Sequence, residues 1–557
     1  MLNHEVVVVG AGLAGMRSAL EAAKETEVAV LSKVYPTRSH SGAAQGGINV
    51  VLNPDDRIES HIFDTVKGSD YLGDQDTIEI LCSEAPRDIY ELEHMGANFS
   101  RASDGKLSQR ELAGASFPRA CYAADMTGHK LLHVLYEQLL KSTILVYNEW
   151  YITDLLVEGG VCRGVMAYDL LRGHLETIRA KSVILATGGY GRAYDRTTNA
   201  LSNTGDGMVL AFREGAPLCD MECVQFHPTT LFGTNILISE AVRGEGGYLT
   251  NKEGERFMQR YVPAKMELAP RDIVSRCIQK EVREGRGFLD EYVHLDVTHF
   301  GEEKIAQKIP QVRNLARQFA GVDIVREPIP VQPAQHYSMG GIRTNGWGET
   351  AIAGLFVAGE CGCVSVHGAN RLGGNSLLET IVFGRRAGMK ALEYVSQQKN
   401  GRAPSPGLIG ERLRCFQGMA SLEGSETVYS LRAALGRTMR EKVGVFRIGP
   451  EIEESLENIR EIKARYQHVG LCNHGTRYNA ELLAVLEQGN LLELAEVIAL
   501  GALARKESRG AHTRNDYPER DDKRFLKHLL AFKQGDGVRQ EFQDVSITRF
   551  RPEARGY

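Results

Sequence analysis

The first fifteen residues constrain the fold most. His4-Glu5-Val6-Val7-Val8-Val9 runs directly into Gly10-Ala11-Gly12-Leu13-Ala14-Gly15. Four consecutive valines suit a strand buried on both faces. Gly10, Gly12 and Gly15 form a GxGxxG turn, which brings backbone N–H groups and a helix N-terminus against a pyrophosphate. The setting makes the motif informative, because Leu13–Glu25 reads as a helix and Glu27–Leu31 as the next strand. The chain is therefore expected to bind a dinucleotide at the carboxyl edge of a doubly wound sheet.

Two later segments read as strands of the same sheet. Ser182-Val183-Ile184-Leu185-Ala186 ends in Thr187-Gly188-Gly189, and Leu355-Phe356-Val357-Ala358 ends in Gly359-Glu360. Their separation implies an insertion, with Tyr248–Val331 as its charged, mixed-pattern body. Gln397–Gly407 has linker composition. Helical periodicity then dominates Ile409–Ala504, including Glu451–Tyr466 and a core helix at Leu491–Ala504, and Arg505–Arg524 is dense in charge and turn residues.

With 557 residues there is room for three or four domains. A net charge of -5 gives no basic surface for nucleic acid. No apolar run is long enough for a bilayer, and the first strand starts too close to Met1 for a cleaved leader. The ten cysteines contain no CxxC pair, which predicts free thiols, no iron–sulfur ligation and no metal site within this chain.

NAD-binding sheets usually place Asp or Glu after the second strand to hold the ribose. Here Ser32-Lys33 stands in that place, which argues against NAD. Glu360, after the late strand, can bond the ribityl chain or ribose of an extended FAD.

Six motifs in order carry a resemblance across nearly the whole chain: YPTRSHSGAAQGGIN (35–49), FHPTT (226–230), SEAVRGEGG (239–247), LAPRD (268–272), HYSMGG (336–341) and HGANRLGGNSLLE (367–379). The chain resembles the flavoprotein subunits of succinate dehydrogenase and fumarate reductase, the complex II family. The resemblance implies an α/β fold: a Rossmann-like FAD-binding domain (1–230 and 335–396), an inserted α+β capping domain (231–334), a helical domain (408–504) and a small C-terminal region (505–557). It further implies FAD bonded covalently through His40, with other flavin contacts from Gly10, Gly12, Gly15, Ser32, Lys33, Gln45, Gly46, Gly47, Thr187, Gly188, Asp206, Glu360, Arg371, Ser376 and Leu377. Substitution at the flavin 8α carbon withdraws electron density and makes a stronger oxidant, as a saturated dicarboxylate requires.

A four-carbon dicarboxylate needs cations and fixed donors if its two charges are to be buried. Arg371 can grip one carboxylate with two bonds. His227, His336 and Ser239 match the family's other substrate positions, Ser239 standing where the best-known members have threonine and keeping the hydroxyl. Arg271 matches the family's proton donor and acceptor, and Glu240 and Arg243 its relay to solvent, on one face if that segment is helical. The resemblance also implies an iron–sulfur partner subunit, a quinone-handling membrane anchor and a peripheral place on the cytoplasmic side of the membrane. L-Aspartate oxidase shares the fold and the RGEGG and LAPRD type motifs but lacks the flavin-linking histidine, so His40 decides between the two. A flavin-binding subunit kept only for assembly is expected to have lost Arg271, Arg371 or His40, and all three are present.

Overall fold

A computed structural model describes residues 1–398 and 403–555. The expected linker at Gln397–Gly407 falls partly outside them; Gln397 closes one helix and Pro406 opens the next. The valine run is the centre of the main sheet. Leu2–Val9 pairs in parallel with Val28–Ser32 on one side and with His174–Leu185 on the other. Leu145–Asn148 extends the sheet beyond Val28–Ser32, and Leu355–Val357 adds a further parallel strand to His174–Leu185. Val6, Val7 and Val8 are fully buried, as strands covered on both faces must be.

The turn after this strand is dictated by two steric limits. Gly10 has φ +112, and a Cβ there would lie 2.2 Å from the Ala186 carbonyl oxygen. A Cβ on Gly15 would lie 1.8 Å from the Gly10 carbonyl oxygen, so the helix Leu13–Ala22 can sit this close only because residue 15 is glycine. That helix stops at Ala22, three residues short of the expected Glu25, and the next strand begins at Val28. The helix expected at Leu491–Ala504 is longer than read, spanning Ala480–Ala504.

The main sheet is not wholly parallel. Trp150–Glu158 and Val161–Asp169 form an antiparallel excursion beside His174–Leu185. A second, antiparallel sheet, ordered Val224–Leu231, Ile329–Ser338, Val293–Asp296 and Tyr248–Thr250, carries residues of the insertion. A separate apolar cluster runs from Leu231 to Val331 and includes Val242, Ile278 and Ile305. The late helices Val428–Lys442, Gly449–Tyr466 and Ala480–Ala504 have no such independence. Leu435, Ile459 and Leu491 share one core with Val7, Val9 and Leu185 of the main sheet.

The charge-dense segment after Ala504 folds inward. Arg505, Arg509 and Arg514 are at most 1% exposed. Arg505 bonds Glu222 at 2.6 Å and Asp220 at 3.3 Å, both more than 280 residues away in sequence, and Glu507 at 3.4 Å. The hairpin Lys527–Gln534 and Gly537–Asp544 joins Leu218–Cys219 and Gly341–Arg343 in a third sheet. His528 staples it, with its two ring nitrogens 2.6 Å from Asp220 and 3.0 Å from Asp74. All ten cysteines are free thiols; eight are buried, and Cys415 and Cys472 are exposed. No helix among the described residues is long and apolar enough to cross a membrane.

Candidate active site

One continuous cavity begins at the Gly10–Leu13 turn and runs to the second sheet. Its lining stretches from the glycine turn to Arg271 and Arg371, a length that suits an extended ligand. Gly12, Ser32, Lys33, His40, Gln45, Gly46, Gly47, Thr187, Gly188, Asp206, Glu360, Ser376 and Leu377 line it, together with His227, Ser239, Glu240, Arg271, His336 and Arg371. Two expected residues do not. Gly15 lies behind the turn and supports it sterically, and Arg243 is buried behind Glu240.

At the dinucleotide end, Lys33 is held by Asp206 at 2.8 Å, Thr204 at 2.8 Å and Glu487 at 2.5 Å. Burial alone would lower its pKa, but the two carboxylates keep it raised. Asp206 also accepts from Asn490 at 2.9 Å. Glu487 and Asn490 come from the helix Ala480–Ala504, so a late helix stands behind the wall and fixes Lys33 and Asp206; the apolar run of that helix gives no sign of it. Glu360 accepts the Ser338 N–H at 2.9 Å, and burial pushes its carboxyl up to about 7.

His40 sits in a short 3-10 turn, His40–Ala43, after the second strand. Its Nδ1 accepts the Ala200 N–H at 3.3 Å, which leaves Nε2 as the ring nitrogen open to the cavity. Burial and the nearby Arg192 charge lower its pKa to about 4, so the imidazole is neutral at pH 7. The flanking Ser41 hydroxyl accepts the Leu13 N–H at 3.2 Å and ties this turn to the glycine turn. Arg110 donates to the carbonyls of Gly46 and Gln45 at 2.9 and 2.8 Å and fixes the next stretch.

At the far end, two β-bulges aim the histidines. Gln225 pairs with Tyr337 and Phe226 with Gln335, so His336 is the extra residue on its strand. A second register shift follows His227, at Pro228, which has no N–H for the ladder. The two rings meet edge to face, 5.0 Å apart. Thr198 Oγ1 lies 2.9 Å from His336 Nδ1. Burial first, then the Arg271 charge, hold both histidines well below their ordinary pKa.

Arg271 opens the helix Arg271–Arg283, and Arg371 lies on the loop before Asn375–Gln397. Each guanidinium donates to the same atom, Gln225 Oε1, at 3.1 Å. Tyr337 supports Arg371 from below, its ring 4.4 Å from the guanidinium carbon. Burial and the Arg271 charge lower the Arg371 pKa to about 10. Gln225 was not anticipated. Its position two residues before His227 on one strand puts both on the same face, a period-two signal present in the sequence.

Glu240 begins the short helix Glu240–Gly244, which Ser239 caps by accepting the Ala241 N–H at 3.2 Å. The Ser239 hydroxyl proton therefore remains available to the cavity. Glu240 Oε2 lies 2.6 Å from Arg271 Nε and 3.9 Å from Arg243 Nη2. Burial would raise the Glu240 pKa, but the Arg271 and Arg243 charges hold it below the usual carboxylate value. Arg243 donates to the Glu267 carbonyl at 2.5 Å, and the Glu267 carboxylate binds the partly exposed Arg256 at 2.6 Å. The i, i+3 pair thus forms one row from Arg271 toward the surface.

Residues 5–377 match a family model described as an FAD binding domain, and residues 432–557 one described as the fumarate reductase flavoprotein C-terminus. The chain is 45% identical to the succinate dehydrogenase flavoprotein subunit of Rickettsia bellii, over 100% of this chain and 98% of that one. It is 44% identical to the fumarate reductase flavoprotein subunit of Mycobacterium tuberculosis, over 100% and 99%. Among solved structures, the quinol fumarate reductase FrdA of E. coli superposes with a TM-score of 0.97 at 41% identity, over 100% of this chain and 99% of that one.

Proposed function

The chain belongs to the succinate dehydrogenase and fumarate reductase flavoprotein family and binds FAD, and on that premise we propose that His40 carries the flavin covalently beside a succinate/fumarate site built on Arg271 and Arg371. The observation that carries this reading is the convergence of two buried guanidiniums on one amide oxygen, 3.1 Å from each. Glu240, 2.6 Å from Arg271, offsets one of these charges, and an anionic ligand reaching Arg371 would offset the other.

The walls fit the cofactor. The cradle at Gly10 and Gly12 leaves backbone room for a pyrophosphate, and a Cβ at Gly12 would already touch the Ser39 hydroxyl at 3.1 Å. Glu360 is a buried carboxyl with an acceptor atom for ribityl or ribose hydroxyls. An imidazole bonded through Nε2 keeps a lone pair only on Nδ1, and that atom already has a donor in the Ala200 N–H.

When bound, FAD supplies the acceptor or donor of a hydride. The protein supplies the rest. Arg371, His336, His227 and Ser239 hold the two carboxylates and fix the carbon chain in one orientation. Both histidines are neutral, so each offers one N–H as a fixed donor. In fumarate reduction Arg271 gives a proton to the carbon adjacent to the one receiving hydride; in succinate oxidation it takes that proton away. Glu240, 2.6 Å from Arg271 Nε, returns the proton, and Arg243 continues the row.

We assign electron exchange to an iron–sulfur partner subunit and a quinone-handling membrane anchor, and a peripheral place on the cytoplasmic face, on the strength of the family relation. We also retain the division into an FAD-binding domain, an inserted cap at 231–334 and a C-terminal region, with the helical part at 408–504 as a unit that shares the core of the FAD-binding domain. The test is a purified complex assayed for succinate oxidation and fumarate reduction, with an acidified denaturing gel viewed by flavin fluorescence. A fluorescent band at the chain's mass and turnover of the dicarboxylates are expected. A dark band with L-aspartate oxidation would establish the other enzyme class.

A further inference from the structure

The C-terminal segment touches both arginines' supports, and this contact has no part in the chemistry above. Asp70 is the hub. It and Tyr71 both have left-handed backbones, φ +54 and +60, a strained pair held by its surroundings. Its carboxylate accepts from the Gly510 N–H at 2.7 Å and from Arg520 at 2.8 Å, and its carbonyl accepts from Arg509 at 2.9 Å. Arg520 also donates to the Glu553 carbonyl at 2.9 Å, which brings the last residues onto this hub.

From there Arg555 reaches across. One of its amino groups lies 3.4 Å from Asp70, and its two amino groups lie 3.1 and 3.4 Å from the two oxygens of Asp272. Asp272 follows Arg271 in the first turn of its helix and is almost wholly buried. Arg276, one turn on, bonds Asp272 at 3.1 Å and the Gly510 carbonyl and Thr513 hydroxyl at 3.0 Å each. The same segment holds the other arginine's loop, since the Ala511 N–H donates to the Ala369 carbonyl at 2.8 Å, two residues before Arg371.

We infer that Arg555 and Asp272 are positioning residues that set Arg271 against Arg371. The inference rests on the dicarboxylate reading of that site. A forked arginine–carboxylate pair fixes direction as well as distance. Here it spans from the main body to the helix that bears Arg271. A proton donor displaced by a fraction of an ångström slows proton transfer before it weakens binding.

The test uses flavin-loaded enzyme reducing fumarate from a reduced viologen dye, in ordinary and heavy water. Arg555→Ala is expected to keep its covalent flavin and melting temperature, lose about ten-fold in kcat with a smaller change in KM, and show a larger solvent isotope effect. Arg555→Lys, which keeps the charge without the fork, should fall between. It carries the same test if the alanine variant folds poorly. A kcat and isotope effect equal to the parent's in both variants would overturn the inference, as would an activity loss matched entirely by lost flavin-loaded protein. A parent enzyme with no fumarate reduction would instead overturn the dicarboxylate reading and this inference with it.

Discussion

Replacing Gln225 by methionine removes the amide between Arg271 and Arg371 and keeps the side chain's bulk. Two charge-assisted hydrogen bonds, each 3.1 Å long, lose their common acceptor. Bonds to charged groups contribute about 1.5–3 kcal/mol each, so complete loss sets a ceiling of about 6 kcal/mol. Water entering the cavity recovers part of this, and the Arg271–Glu240 contact at 2.6 Å survives. A net cost of about 3 kcal/mol in the transition state is expected, or roughly a hundred-fold in kcat/KM. The assay is steady-state fumarate reduction by the flavin-loaded enzyme, with flavin content measured in parallel. A fully loaded variant within about three-fold of the parent would refute the argument that the shared oxygen orders the two cations.

Three further outcomes are expected. Arg271→Ala should abolish turnover in both directions while the gel fluorescence of the flavin is unchanged; substantial residual activity would remove Arg271 from the proton step. His40→Ser should retain FAD without a covalent bond and lose succinate oxidation before fumarate reduction, measured as the ratio of the two rates; an unchanged ratio would dismiss the link as the source of oxidising power. His528 has a folded pKa of about 10, because Asp220 and Asp74 outweigh the lowering effect of its burial. A pKa raised above its unfolded value, about 6.5, stabilises fully below that value and the stabilisation is lost as pH rises toward 10. The melting temperature should therefore decline across that window, and His528→Gln should flatten the decline; a parent whose melting temperature climbs there would contradict the ion triad.

Much of the site was legible because its chemistry depends on short motifs. Gly10 and Gly12 could be read from the strand before them and the helix after them. His227, His336, Arg271 and Arg371 were legible only through the resemblance, since an isolated histidine or arginine carries no signal of direction. What brings them together lies in long-range register. His336 faces the cavity because its strand carries one extra residue against Val224–Leu231, and no local pattern announces that bulge. Gln225 shares a face with His227 by alternation, yet in sequence a buried amide looks like any core hydrogen-bonder. The antiparallel excursion had a signal too. Gly159 and Gly160 have φ +60 and +75, the backbone of a tight hairpin turn, and a Gly-Gly pair between apolar runs is its mark. Arg509 and Arg514 pair locally with Glu507 and Asp516, but the inward fold of this segment has no local signal, because Asp220 and Glu222 reach Arg505 from more than 280 residues away.

The distribution of sulfur has a practical consequence. An alkylating reagent meets only Cys415 and Cys472, one on the helix Pro406–Ala420 and one in the loop before Ala480–Ala504. Either can carry a dye or spin probe without a reporter group entering the catalytic chamber. Mild oxidants likewise reach these two exposed thiols first, while the eight buried ones are shielded from them.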